Sequence, residues 1–231
     1  MGYSLSWLAV KGKSPQAVRV ELGFRATGEH EKMPDSDLSA AELPNGWYLI
    51  VSNHTEQVAP DDALQRLSSG CEAVTGFVEE HVMVSSASGW KDGQRCWSVI
   101  HDSQKRRDSL ETQGQLPPMF ESILEKFRLK QKEADIRKRG VDFIFEVPVE
   151  LAGTLVGYRH DRDVPGMSGE PFEVLANDNP IAAVADSRLQ RLDQKWMALA
   201  GWQRGVIGAL IVIGALFIII CAITFFVMLF D

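Results

Sequence analysis

Residues 71–101 read CEAVTGFVEEHVMVSSASGWKDGQRCWSVIH. Three strand-like runs stand close together in it: 71–78, then 80–87 with Val82, Met83 and Val84, then 95–101 with Trp97, Val99 and Ile100. The segment Gly89-Trp90-Lys91-Asp92-Gly93 joins the last two as a hairpin loop. This stretch therefore predicts one strand followed by a hairpin.

Working outward, residues 3–10 alternate apolar side chains with Ser4 and Ser6 and predict a strand. Ser14-Pro15 then supplies an N-cap and a first helical residue. Ala17, Val18 and Leu22 form a stripe, and Gly23 ends the helix. A further strand begins at Phe24, and residues 29–43 are polar enough to predict a long loop. After the Asn45-Gly46 turn, 47–51 predicts a strand; Pro60 opens a helix carrying Ala63, Leu64 and Leu67 and stopped by Gly70. The same order of strand, Pro-led helix, Gly and strand recurs a third time, with a strand at 141–145 and a helix at 149–156. Between them, Phe120, Ile123, Leu124, Phe127 and Ala134 keep helical spacing across 118–138. The expected fold is α+β, an antiparallel or mixed sheet with helices on one face, occupying residues 1–161.

Past that point the composition changes. Residues 162–186 hold Pro165, Gly166, Gly169, Pro171 and Pro180 and predict an exposed linker, with 172–175 docking back onto the head. A juxtamembrane helix is expected at 187–204. Residues 205–230 contain no Asp, Glu, Lys, Arg or His. A helix of that length spans ~39 Å, enough for a hydrocarbon core of ~30 Å. Arg188, Arg191, Lys195 and Arg204 precede it, and positive residues favour the cytoplasmic side. The expectation is a tail-anchored, single-pass protein of the bacterial inner membrane with its N-terminal head in the cytoplasm. Trp202 and Arg204 mark the membrane boundary and Phe230 the far end, while Gly205, Gly208 and Ala209 offer a small-residue face for self-association.

Lys and Arg number 24 against 31 Asp and Glu, a net charge of −7. That balance argues against a nucleic-acid partner, which needs clustered cations, and fits a basic protein partner. Chemistry-bearing residues are few. If the hairpin loop centres on Lys91, His81 lies opposite His101, and with Glu79 the pair could hold a transition metal or act in catalysis. A tighter turn at Asp92-Gly93 would instead bring Val84 opposite His101. No His-x-x-x-His, Cys-x-x-Cys, Gly-x-Ser-x-Gly or phosphate-cradling loop accompanies them, so no metal or cofactor is expected. Cys96 reads as a small, buried or half-buried strand residue and not as a nucleophile. Trp90, placed in the hairpin loop, is the candidate partner contact.

The runs YSLSWLAVKGKSP at 3–15 and EEHVMVSSA at 79–87 resemble a group of small acidic bacterial α+β proteins of the immunity-protein type found in toxin systems. The resemblance covers about 150 residues of the head, none of the tail, and carries no functional residue with it. It implies a non-enzymatic protein that occludes a toxic partner, here one acting at or near the inner membrane. An accessory or regulatory subunit of an inner-membrane complex is the alternative, and a tethered enzyme using His81 or His101 the third reading.

Overall fold

Strand β1 (Ser4–Lys11) alternates Leu5, Trp7 and Ala9 on one side with Leu8 and Val10 on the other, and all five are buried. A strand apolar on both sides needs a covering layer on each, which places it in the middle of the sheet. The computed structural model describes residues 2–178, apart from 54, 106, 107, 109, 138 and 139.

The other elements follow in chain order. They are α1 (Pro15–Leu22), β2 (Phe24–Glu31), β3 (Leu38–Glu42), β4 (Tyr48–Asn53), α2 (Asp61–Leu67) and β5 (Glu72–Glu79). Then come β6 (Val84–Lys91), β7 (Gln94–Asp102), β8 (Leu110–Gly114), α3 (Phe120–Ile136), α4 (Glu146–Val156) and β9 (Phe172–Asn177). The strands form one sheet in the order β2-β9-β3-β4-β1-β5-β6-β7-β8. Every adjacent pair is antiparallel. The α+β architecture and the antiparallel sheet are as the sequence predicts.

The placement of the helices differs from expectation. They cover both faces, because β1 and β4 bury both sets of their side chains. Val18 of α1 and Leu64 and Leu67 of α2 pack on Leu8, Val10, Tyr48 and Ile50. Phe120, Ile123, Leu124 and Phe127 of α3, with Val147, Leu151 and Val156 of α4, pack on Trp7, Ala9, Leu49 and Val51. The first two strand-helix-strand units are true crossovers on the same face. β4 and β5 both run antiparallel to β1, hence parallel to one another, and α2 spans the gap. The third unit lacks its leading strand: residues 141–145 are turn and loop.

Local signals explain several boundaries. Ser14 Oγ accepts from the Ala17 N–H at 3.3 Å, Pro15 opens α1, and Gly23 closes it in the left-handed conformation. Asn45 Nδ2 donates to the Val156 carbonyl at 2.7 Å and satisfies an end of α4. Two glycines admit neighbouring indoles. Gly76 pairs with Trp7 and Gly89 with Trp97, and a Cβ on either glycine would meet the ring of its partner.

The compact unit runs through Asp178, past the expected boundary at 161. Residues 172–175 do dock back, as the inner strand β9 between β2 and β3, so the first part of the expected linker belongs to the sheet. Among the described residues no helix is long and apolar enough to cross a membrane. The apolar run 205–230, the helix expected at 187–204, and Trp202, Arg204, Gly205, Gly208, Ala209 and Phe230 lie outside the described residues.

Candidate functional site

The hairpin carrying most of the sequence candidates closes through a two-residue turn at Asp92 and Gly93, both at positive φ, the backbone that tight hairpins demand. Strand β6 therefore starts at Val84 and runs on to Lys91, while residues 80–83 form a separate turn. Trp90 is a buried strand residue, 7% exposed, and is withdrawn as a surface contact. Its Nε1 donates to Ser88 Oγ at 2.9 Å, and the Arg95 guanidinium lies 5.6 Å from its ring. Cys96 is the extra residue of a β-bulge: Trp90 pairs with Arg95 and Gly89 with Trp97. The bulge turns its thiol outward, so Cys96 is exposed instead of buried or half-buried. It also shifts the register by one, placing Ser85 opposite His101 where the tight turn alone would place Val84.

His81 and His101 are not brought together. His81 sits in the 80–83 turn with its side chain 63% exposed, and its Nδ1 lies 2.7 Å from Glu79 Oε1. Burial would raise the Glu79 carboxyl, but hydrogen bonds from Ser4 and His81 outweigh it and hold the group below its ordinary value. His101 is fully buried. Among the described residues no group of three His, Cys, Asp or Glu could hold a metal ion.

His101 instead meets a residue that sequence reasoning passed over. Its Nε2 lies 2.9 Å from Asp142 Oδ2, and Asp142 Oδ1 accepts the Ile144 and Phe145 N–H groups at 3.1 and 3.3 Å. Ser85, the cross-strand neighbour of His101, donates its hydroxyl to the Phe145 carbonyl at 2.7 Å. Burial pushes the Asp142 carboxyl up, yet the His101 hydrogen bond and charge prevail and keep it below the usual carboxylate range. Serine, imidazole and carboxylate are the groups of a hydrolytic relay, but Ser85 and His101 have no exposed surface and the serine proton is committed to a backbone carbonyl. The arrangement is a clasp that ties residues 142–145, and through them the start of α4, to β6 and β7.

The accessible feature lies on the opposite face. There α2 packs in one cluster with Leu8, Val10, Ala73 and Trp90. The next two rows are Thr75, Ser88 and Ser98, then Ser6, Phe77, Ser86 and Ile100. They line a shallow cleft of about 150 Å³ walled by Glu56 and Val58 ahead of α2 and by Asp61 at its first position. Thr75 and Ser88 share a hydrogen bond of 2.7 Å, as do Ser6 and Thr55 at 3.1 Å, and Arg95 is paired with Asp61 at 3.2 Å. Phe77 is half-buried and Ile100 36% exposed. Strand alternation placed these side chains on one face. What the sequence did not reveal is that, among the described residues, no helix returns to cover them.

Comparison of the chain with protein-family models yields no match, and neither do comparisons with curated proteins and with solved structures. What the described residues define is a class: a nine-stranded antiparallel α+β unit with one sheet face that the described helices leave partly uncovered.

Proposed function

We propose that the chain is a membrane-tethered binding protein. Residues 2–178 form the recognition head, and residues 205–230 anchor it in the bacterial inner membrane with the head in the cytoplasm. Its target is a basic protein, and its role is that of an immunity or defence protein which occludes that partner. The observation that carries this reading is the uncovered face of β5–β7. Paired hydroxyls, a half-buried Phe77 and a solvent-facing Ile100 make a surface suited to contact. Glu56 and Asp61 on its wall, within a chain of net charge −7, favour a cationic partner and speed its encounter.

The test is affinity capture of the full chain in mild detergent from its native cell, side by side with Ile100→Lys. One dominant basic partner that is retained by the parent chain and lost with Ile100→Lys supports the reading. A partner held equally by both places the interface elsewhere, and a fixed-ratio set of membrane proteins makes the chain an accessory subunit instead.

A further inference from the structure

On the other side of the molecule, residues 32–34, the stretch 158–164 and the residues leading into β9 enclose a second cavity of about 150 Å³. Two observations there are independent of the partner-binding reading. The first is charge. Lys32 and Arg162 both border the cavity; among the described residues the carboxylate paired with Arg162 is that of Asp161 at 3.9 Å, too far for a hydrogen bond. Arg159, by contrast, is fully used, bonded to Glu146, Glu150 and Asp161 at 2.7–3.1 Å. The second is an incomplete polar group. His160 lines the same cavity with its side chain 4% exposed, and its Nδ1 is buried with no hydrogen-bond partner among the described residues. Its Nε2 lies 3.7 Å from Glu80 Oε1, and the Tyr3 ring packs edge-on against the imidazole at 4.8 Å.

The remaining wall is apolar, formed by Met33, Val164, Met167 and Phe172. Methionines adapt their shape to varied occupants. The volume is well below the ~300–1,000 Å³ of drug-sized sites, so the occupant is small. Asp163 also borders the cavity and disfavours a doubly charged anion.

We propose that this cavity binds a small monoanionic carboxylate with a compact apolar body, the carboxylate held between Lys32 and Arg162 and the body against Met33, Val164 and Met167. Burial lowers the His160 pKa in spite of the neighbouring Asp161 and Glu80, so the imidazole adds no positive charge to the cavity wall at pH 7.

Benzoate is the probe. Saturation-transfer NMR on the full chain in lipid nanodiscs, with empty nanodiscs as baseline, should show saturable binding with a dissociation constant of about 1 mM or tighter. The double variant Lys32→Ala with Arg162→Ala should bind at least ~10-fold more weakly, because two charge-assisted hydrogen bonds are lost. Both are surface side chains, and an unchanged far-UV CD spectrum establishes that the variant is folded. No saturable benzoate signal overturns the proposal, as does equal binding by the double variant. Competition by inorganic phosphate at equal concentration overturns the carboxylate assignment.

Discussion

At the scale of single residues, the sheet depends on positions where absence of a side chain matters as much as presence. Gly89 gives the Trp97 indole its resting place, and Gly76 does the same for Trp7. Gly89→Ala should therefore lower stability by about 1–3 kcal/mol, the range for overpacking a rigid ring, as read from the urea midpoint. A midpoint unchanged within error would show that the indole can move aside. Asp142 is the other sensitive position. Asp142→Ala removes the carboxylate that faces His101 Nε2 and accepts two buried N–H groups, and should cost about 3 kcal/mol. Neither Gly89 nor Asp142 stands out in the sequence: a glycine in a strand reads as a weakness, and VDFIF at 141–145 alternates like a strand.

At the scale of elements, the clasp predicts coupling. Ser85 and Asp142 hold the same few residues through the Phe145 carbonyl and the Phe145 N–H. The double variant Ser85→Ala with Asp142→Ala should then cost less than the sum of the singles, with an interaction energy of at least about 0.5 kcal/mol. Strict additivity in the cycle would mean that the two bonds act separately. Which elements were legible follows from how each is stabilised. α1 carries its cap, first proline and terminal glycine in sequence, and α3 its apolar stripe, so both emerge within a few residues of expectation. β8 has one apolar residue, Leu110, and is an edge strand exposed along most of its length, which erases the alternation that marks a strand. β3, with buried Ser39, Ala40 and Ala41, hides in a polar context expected to be loop. In the site, the hydroxyl rows were implicit in strand alternation. The clasp and the His160 cavity depend on contacts between residues far apart in the chain, and no local pattern reports those.

At the scale of the whole molecule, acid should loosen the fold in a definite direction. Glu79, Asp142 and Glu150 are held below their ordinary values because hydrogen bonds from His81, His101 and Lys126 overcome burial; Asp161 is lowered first by its hydrogen bond from Arg159. Groups with depressed folded-state pKa values stabilise the fold fully above the unfolded value of about 4, and that stability is lost as pH falls through their lower folded values. The urea midpoint should begin to fall below about pH 6.5, where unfolding lets His160 take up a proton that burial resists, and fall more steeply below about 4 as the carboxylates protonate; a midpoint flat down to pH 3 would contradict these pairings. β9 has a consequence of another kind. It slots between β2 and β3, burying Phe172 on one face and Leu175 on the other. At ~5–20 residues per second, the ribosome needs roughly 6–26 s after finishing β3 to deliver β9. Throughout that interval the sheet is split, and β2 has no strand beside it. The nascent chain is thus exposed to mispairing for longest at its N-terminal edge, and that is where a chaperone acting during translation would have the most to protect.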